Sequence, residues 1–450
     1  MDEYKIRMGM MRGEFRGDVT RDTFWAGRQF SRVLMQQGRV QLDSDFNEQA
    51  SIMTHYLRGL AVDLMGPHAA PAGADGQPGD DFRVSVPQGD DHLIVAPGHY
   101  YVNGLRCENH EEKQMLIPDE HDVHLVYLDV WERHIAAVEN DLIREAALNG
   151  PDTATRAGIE WQVKTKPDVS LDNQSSYADF MAALEENCKP GTGRLRARAR
   201  QREEIDREPC LADPEARYRG PENQLYRVEI HKGGLGRTTA TFKWSRENGS
   251  VYFPIVKPVA GRTVTVAHLG RDERFGLQPD DWVEIIDDEE ALTPERPPLL
   301  KVALVDPDTF EVTFTEAPSS ARIGTEMDKH PYLRRWDHEG DDPDGLRVKE
   351  SVTANPNWIP LEDGVQIQFL KEGNTTKRYG VGDYWLIPAR TITGDVEWPG
   401  DPENPEFLPP HGILHHYAPL ALIARGANDT FTVDDLRRWV IKLWQNSSDL

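Results

Sequence analysis

A long amphipathic segment near the start of the chain limits the possible folds more than any other stretch. It runs from Ser44 to Met65, and its apolar residues recur at helical spacing: Phe46, Ala50, Met53, Leu57, Leu60, Ala61 and Leu64. Ser44 is a suitable N-cap, and Asp45 in the first turn suits the positive end of the helix dipole. The following Gly66-Pro67 would end the helix.

A second, shorter helix is predicted immediately before this one, at about Gln29–Gln37. Gly38 would stop it, and residues 39–42 would carry the chain into the long helix. Residues 30–66 are therefore predicted to form a helical hairpin with a fixed elbow at Gly38.

From Phe82 onward the apolar period changes to two, which is typical of β-strands. Asn103-Gly104 is the preferred dipeptide of a two-residue hairpin turn, and Val102 and Leu105 would face each other across it. Between residues 226 and 316, strand patterns are broken at intervals of about 8–12 residues by Asp, Pro or Gly, which indicates small antiparallel sandwiches or barrels.

The predicted fold class is mainly β (α+β), with several small antiparallel β-sandwich or barrel domains after the hairpin and a short C-terminal helix at 433–444. A helical insertion is expected at 136–156, and a second short helix at 175–188. The predicted sections are an arm at 1–29, the hairpin at 30–66, a first β-domain at 82–166, a helix and basic loop linker at 167–222, a second β-domain at 223–327 and a third β-section at 328–450.

The charge and apolar content disfavour several classes of partner. The net charge is −25, from 51 basic and 76 acidic residues, which disfavours nucleic acid and anionic membranes. No stretch of the sequence approaches the length of a membrane span, which needs about 20 apolar residues. The first residues lack the apolar region of a signal peptide. We therefore expect synthesis in the cytoplasm without a signal peptide. The three cysteines have no close pair and indicate neither a zinc site nor a disulfide framework.

No catalytic or metal-binding pattern stands out. His121 and His124 would point to opposite faces of a strand, and the neighbours His415 and His416 would diverge. The acidic loop at 336–345 does not fit an EF-hand, which leaves a surface turn or an irregular calcium site. Six tryptophans lie within strand patterns and are expected in the core: Trp131, Trp161, Trp244, Trp282, Trp336 and Trp385. We therefore expect a protein that is not an enzyme and that has no cofactor and no metal.

The polar side of the hairpin is the remaining candidate site. It would be either a capped and solvated surface or a subunit-docking surface, on which side-chain amides bond across helices. The candidate docking residues, including two from the apolar stripe, are Gln36, Gln37, Gly38, Arg39, Gln41, Asp43, Asn47, Glu48, Met53 and Leu57.

Several long blocks resemble an uncharacterised bacterial domain family that occurs with contractile, phage-tail-like injection systems and sometimes precedes β-helix repeats. The blocks are FRGDVTRDTF, FSRVLMQQGRVQLDSDFNEQ, PGHYYVNG, YLDVWER, GPDTATR, EWQVK, NQLYRVEIHKGG, FKWSRENGS, GDYWLIPAR and HHYAPLALI. In addition, Gly38–Gln49 is similar to the elbow of phage baseplate and tail-fibre adaptor proteins, in which the helix opens a trimeric attachment module. Phe46 stands where those proteins usually carry Leu.

These resemblances imply a non-enzymatic structural component that docks near a baseplate, spike or fibre attachment point. The implied partners are other particle proteins and copies of the chain itself, with a homotrimer matching baseplate symmetry. Neither nucleic acid nor membrane insertion is implied, and the assembled particle could be released outside the cell. The alternatives are a polysaccharide-binding or -cleaving module, and a cargo or effector carried by the particle. A cargo would have a cleft with perturbed titratable residues.

Overall fold

A single long helix and many short strands make up the part of the chain that the structure describes. The computed structural model describes residues 14–440 except 22, 74–75, 119–120, 168–181, 183–190, 201–216, 237, 273–274, 294, 321, 354–355, 373–376 and 427–429. The long helix is α1 (Asp43–Met65). Short 3₁₀ helices lie at Ala26–Arg28, Asp141–Ile143, Ala146–Leu148, Glu290–Leu292 and Met327–Lys329.

The strands of the first half, in chain order, are β1 (His68–Pro71), β2 (Val84–Ser85), β3 (His92–Val95), β4 (Gly98–Val102), β5 (Leu105–Asn109), β6 (Lys113–Leu116), β7 (Val123–Ile135), β8 (Arg156–Pro167), β9 (Leu195–Ala199), β10 (Gln224–Lys232), β11 (Gly234–Leu235), β12 (Thr241–Ser245), β13 (Tyr252–Ala260), β14 (Thr263–Val266) and β15 (Trp282–Ile286). The strands that follow are β16 (Leu300–Asp306), β17 (Glu311–Phe314), β18 (Tyr332–Trp336), β19 (Leu346–Arg347), β20 (Glu350–Ser351), β21 (Ile359–Pro360), β22 (Val365–Leu370), β23 (Arg378–Tyr379), β24 (Tyr384–Arg390), β25 (Asp395–Val396), β26 (Gly400–Asp401), β27 (Asn404–Pro405), β28 (His416–Arg425), β29 (Phe431–Asp435) and β30 (Trp439–Val440).

Three packed units account for most of these strands. In the first unit, the sheets β30-β1-β4-β5, β2-β3-β6 and β29-β28-β7-β8 enclose one core. In the second unit, which we call the sandwich, the sheet β19-β12-β10-β24-β25 faces the sheet formed by β9 and β20 to β22. The third unit is a closed barrel with the strand order β13-β14-β17-β16-β15-β18 and its own core.

The prediction of a mainly β chain is confirmed, as is the hairpin at Asn103-Gly104. Val102 pairs with Leu105 across this turn, and both turn residues have positive φ angles, of 48° and 79°. Strand pairs also join distant parts of the chain, because β28 pairs with β7 and β24 pairs with β10. The first unit therefore combines strands from both sides of the sandwich and barrel in sequence.

The long helix is confirmed, but its predicted partner is wrong. α1 ends at Gly66, which has a positive φ of 80° and whose N–H donates to the carbonyl of Val62. Residues 29–42 are not helical apart from a turn around Gly38, so the segment forms an irregular strap rather than half of a hairpin. The N-cap position is Leu42 instead of Ser44, and the backbone N–H of Leu42 donates to the Asp45 carboxylate.

Two other predicted helices are also wrong. Residues 433–435 belong to β29 and residues 439–440 to β30, so within the described residues the C-terminal segment is extended. Its ladder partners explain this, because Val433 pairs with Ile423 and Val440 pairs with Pro71. Between 136 and 156 the chain forms two 3₁₀ turns instead of an α-helix. The helix predicted at 175–188 falls on residues that, apart from 182, lie outside the described ones.

The arm and the basic run lie closer to the protein body than the sequence indicates. Glu14 and Arg16 are buried within the chain itself. In the basic run, Leu195–Ala199 forms β9, which pairs with β22. Arg196 and Arg198 both lie over the ring of Trp358, at 4.9 and 4.0 Å. The described part of the basic run is therefore a strand packed on aromatic residues and not a solvated loop.

Candidate docking surface and buried junction

The apolar stripe of α1 faces solvent. The side chains of Phe46, Met53, Leu57, Leu60 and Leu64 are 67%, 56%, 64%, 56% and 68% exposed. Between Phe30 and Leu64 lie 11 of the 23 exposed large hydrophobic side chains of the described residues. Contiguous apolar surface of this kind is typical of an interaction site.

The opposite face of α1 holds the helix on the protein body. Ser44 and Ile52 are buried there. Arg58 forms a bidentate ion pair with Glu132 of β7, in which Nη1 and Nη2 lie 2.8 and 2.7 Å from the two carboxylate oxygens. At about 100° per residue, Ser44 lies a little less than half a turn, and Arg58 about a third of a turn, around the axis from the middle of the stripe. The side that usually faces a core is therefore turned outward, and we call the exposed row Phe46, Ala50, Met53, Leu57, Leu60 and Leu64 the seam.

The predicted docking residues divide into two groups. Asp43 accepts hydrogen bonds from the backbone N–H and hydroxyl of Thr20, both at 3.0 Å, and Glu48 accepts one from the Thr23 hydroxyl at 2.7 Å. These two carboxylates therefore bond within the chain. Of the remaining predicted positions outside the apolar stripe, Asn47 is half-buried. The others are exposed: Gln36, Gln37, Gly38, Arg39 and Gln41. Their role in docking stays a prediction, as does that of exposed Met53 and Leu57.

A buried network of ion pairs lies where the sandwich meets the barrel. Glu229 on β10 is at its centre, with Arg16 Nη2 at 3.0 Å, Arg227 Nε at 2.6 Å and Lys243 Nζ at 3.6 Å from its carboxylate oxygens. Lys243 also contacts Glu284 on β15 at 2.6 Å. The side chains of Arg227, Glu229 and Lys243 are at most 1% exposed.

The network continues through two more glutamates. Arg334 on β18 lies 3.2 Å from Glu284, and Arg296 lies 2.9 Å from Glu14, which also pairs with Arg16. Neighbours on a strand point to opposite faces, so charged residues of β10 alternate with core residues such as Val228. The sandwich thus presents charges on its outer face, and the outer face of the barrel and the arm cover them.

The network holds its carboxylates ionised and its histidines neutral. Burial alone would raise the pKa of Glu229, but Arg16 and Arg227 hold that pKa well below its usual range. Burial would likewise raise the pKa of Glu14, but Arg16 and Arg296 lower it to about 2. Burial, with the nearby Lys243 cation, lowers the pKa of His231 and of His338 to about 3.

A cavity of about 1160 Å³ opens between the start of α1, the arm and the barrel. Its lining includes Gln41, Asp43 and Asn47 from the predicted docking set. Glu247 lies on another wall, with its carboxylate 3.4 Å from Arg335. Burial raises the pKa of Glu247 to about 7, and Arg335 opposes this shift only in part.

A second cavity, of about 500 Å³, lies among all three units. His415 Nδ1 is 2.6 Å from Asp129, and Lys164 Nζ is 2.5 Å from the other oxygen of the same carboxylate. The imidazole lies on Trp131, with ring centroids 5.0 Å apart. On the opposite wall, burial raises the pKa of Asp383 to about 7, although the N–H groups of Gly380 and Gly191 donate to it.

The comparison with protein families matches nearly the whole described chain. The model of the family of unknown function DUF6519 matches residues 15–121, 117–191 and 173–432. The chain belongs to this family. Neither a curated protein nor a solved structure matches it. The family description assigns no activity, so the seam, the network and the two cavities are the features that bear on the function of this DUF6519 chain.

Other observations test the remaining sequence predictions. Trp131, Trp244, Trp282, Trp336 and Trp385 are buried, whereas Trp161 is half-buried, so the expected place in the core is confirmed for five of the six tryptophans. No described helix is long and apolar enough to cross a membrane. Among the described residues, Asp90, Asp91 and His92 lie close enough to share an ion, but they form an exposed acidic turn.

Neither the ion-pair network nor the pairing of His415 with Asp129 is predicted by the sequence pattern. Asp129 belongs to β7, whereas His415 immediately precedes β28, and only the pairing of these strands brings the two side chains together. The single available signal was that strands such as YRVEIHK carry charges between apolar residues. That signal normally indicates a solvated face.

Replacing Glu247 by Gln is expected to stabilise the protein at alkaline pH. A carboxyl whose folded pKa is raised contributes most stability below its unfolded pKa of about 4.3, and this contribution is lost as the pH rises through the folded value of about 7. The amide cannot ionise, so E247Q is expected to be more stable by about 2 kcal/mol at pH 8. Denaturant unfolding at pH 8 and pH 5 measures this difference, with exposed Glu311→Gln as the control. A gain at pH 8 no larger than that of E311Q would contradict it.

Proposed function

We propose that the protein is a non-enzymatic structural component of a contractile injection system or phage-tail-like particle, docking near the baseplate, spike or fibre attachment point. The observation that carries the proposal is the outward-facing seam of α1. A folded chain with this much apolar helix surface exposed needs a partner to cover it.

The spacing of the seam favours a helical partner. Its six positions follow one another at alternating intervals of four and three residues, from Phe46 to Leu64. A strict alternation of this kind is the a and d pattern of a coiled coil, in which each side chain fits between four residues of a facing helix. The seam is narrower than the apolar face of a helix that packs into a globular core.

Copies of the same chain fit this seam. Of the six positions beside it, Asn47, Gln49, Thr54, Tyr56 and Ala61 are uncharged and Asp63 is charged, so like-charge repulsion between identical helices would be confined to the C-terminal end of the seam. This is notable in a chain with a net charge of −25. Leu57 and Leu64 are not the β-branched residues that favour two strands at these positions, and the choice of a trimer is supported by the resemblance to baseplate adaptors.

The place in a particle is supported by resemblance. The segment Gly38–Gln49 is similar to the elbow of baseplate and fibre adaptors, and in this chain it leads directly into the seam. The three β-units would then serve as a rigid body behind the attachment helix.

The first test is the mass of the purified chain in solution. Light scattering behind size exclusion is expected to give a species near three times 51.0 kDa. A single-chain mass at all concentrations would contradict docking between copies. Deleting the gene from a host that makes such particles is then expected to prevent their assembly. Particles that assemble normally without the chain would contradict a structural role.

A second candidate function, a carried effector or a polysaccharide-cleaving module, is favoured by the cavities. Glu247 and Asp383 have raised pKa values of about 7, and perturbed carboxyls in cavities are common at active sites. Two results would favour this candidate. Particles would assemble without the chain but lose activity, and a glycan screen would detect cleavage that E247Q abolishes.

A further inference from the structure

The strap at residues 29–42 exposes a series of large apolar side chains just before α1. Every residue in it is exposed except Val33, which is half-buried. Five large hydrophobic side chains, between 48% and 82% exposed, lie in this segment: Phe30, Leu34, Met35, Val40 and Leu42. The strap contains no helix or strand that would bury these side chains in a core of its own. They are therefore available to a partner, as is the seam.

The charge of the strap is opposite to that of the rest of the chain. The strap contains Arg32 and Arg39 and no carboxylate, and both arginines are exposed. No ion pair joins either of them to another of the described residues. Taking these two from the 51 basic residues leaves 49 against 76 acidic ones in the rest of the chain. A second copy of the chain therefore offers this apolar, cationic segment a partner of complementary charge.

A hydrogen bond places the strap along one side of the seam. The backbone N–H of Val33 donates to Oε1 of Gln49 at 2.7 Å, and Gln49 directly precedes the seam residue Ala50. At about 100° per residue, the positions that precede 50, 57 and 64 lie on one flank of the seam, and those that follow 46, 53 and 60 lie on the other. The first flank consists of Gln49, Tyr56 and Asp63, and the second flank of Asn47, Thr54 and Ala61.

The two flanks meet when identical helices pack in parallel. Around a rotation axis, the first flank of each helix faces the second flank of the next helix. Because the strap lies on the first flank, closing such a bundle brings it to the second flank of the neighbouring copy. The three side chains of that flank are short and uncharged, which leaves room for the leucine and methionine side chains of the strap.

The strap is attached to α1 at the layer of the seam with the least apolar area. Ala50 is the one small residue among the six seam positions, and it follows Gln49, to which Val33 is bonded. A layer of alanines buries less apolar area than the layers of larger side chains on either side of it. Leu34 and Met35 follow Val33 and are 71% and 53% exposed, so they supply apolar area at this level.

We propose that the strap of each copy packs against the second flank of α1 in the next copy, around Asn47 and Thr54. This contact rests on the association between copies proposed above and adds a second, head-to-tail interface beside the seam. In the seam, like surfaces meet, whereas here the strap meets a different surface of its neighbour. In an antiparallel pair the first flanks would face each other, so the strap contact selects parallel helices.

The first test compares variants of the intact chain by light scattering over a dilution series. Leu34→Asp is expected to raise the dissociation constant at least about 10-fold, because it removes apolar area from the strap contact. Ile392→Asp, at a 92% exposed position elsewhere on the surface, is expected to leave the constant unchanged. The dilute L34D chain is expected to unfold at the wild-type temperature, because Leu34 is 71% exposed.

The outcomes separate the strap contact from the seam contact. An L34D chain that associates as tightly as wild type would overturn the strap contact and leave the seam contact standing. A wild-type chain that is monomeric at all concentrations would overturn both. A lower unfolding temperature for dilute L34D than for dilute wild type would show that the strap packs within its own chain, and it would also overturn the proposal.

Disulfide trapping tests which surfaces meet. Two differently tagged chains are co-expressed, one with Leu34→Cys and one with Thr54→Cys, and in both Cys188 and Cys210 are replaced by serine, whereas buried Cys107 is kept. Mild oxidation is expected to give a cross-linked band that contains both tags. The pair Leu34→Cys and Ile392→Cys is expected to give none. Equal cross-linking of both pairs, or no cross-link between positions 34 and 54 in oligomeric protein, would overturn the proposal.

Discussion

Leu57→Asp is expected to abolish self-association while leaving the single chain folded. Leu57 is 64% exposed, and α1 contacts the body through its other face, so the variant removes no core contact. In an assembly the same substitution removes about 1.5–3 kcal/mol of apolar burial for each copy and places carboxylates against one another. The dissociation constant is expected to rise at least about 100-fold, which corresponds to about 2.7 kcal/mol. Light scattering over a dilution series measures it.

Ile392→Asp is the matched control, because Ile392 is also aliphatic and is 92% exposed on another part of the surface. It is expected to retain the oligomer. An L57D chain that keeps the wild-type mass would refute the seam as the contact. An L57D monomer that unfolds at a lower temperature than a dilute wild-type monomer would show that the stripe packs within its own chain.

Local signals in the sequence were sufficient for the elements that depend on local chemistry. The seven apolar residues of α1 recur over a run of 19 residues, and Gly66 ends the helix by adopting a positive φ. Asn103-Gly104 determines its hairpin by the turn geometry alone. The strands of the barrel were likewise predictable from alternation and turn residues. In each case the information lies within a few residues of the element.

The wrong helices show where local signals fail. Val433 and Val440 fit a helical period, but the chain extends there because the neighbouring strand edges of β28 and β1 are available for pairing. Short amphipathic patterns of this kind fit both periods, and only the tertiary structure selects one. The direction of the seam is another such property. The sequence defines the apolar face of α1, whereas the position of Glu132 under Arg58 decides that this face points outward.

The buried charges were unpredictable for the same reason. Arg227 and Glu229 alternate with Val228 as on any half-solvated strand, and the covering partner, Arg16, comes from 213 positions away in sequence. Such a network does not by itself indicate high stability, because burial of each charge costs several kcal/mol. Its energetic consequence appears when one partner is removed.

Glu229→Gln is therefore expected to destabilise the protein by about 3–5 kcal/mol at pH 7. The amide leaves Arg16, Arg227 and Lys243 around a neutral group, so three buried cations repel one another with less compensation. Denaturant unfolding measures the change, and exposed Glu311→Gln is the control, with an expected change within about 0.5 kcal/mol.

The pH dependence separates this electrostatic cause from a packing defect. Because Arg16 and Arg227 hold the folded pKa of Glu229 far below its usual range, its contribution is fully present above the unfolded value of about 4.3 and is lost as the pH falls towards the folded value. The difference between wild type and E229Q is therefore expected to shrink by about 1–2 kcal/mol between pH 5 and pH 3. A difference that is constant with pH would mean that Glu229 acts through its shape, and the network would then owe its stability to packing and not to charge.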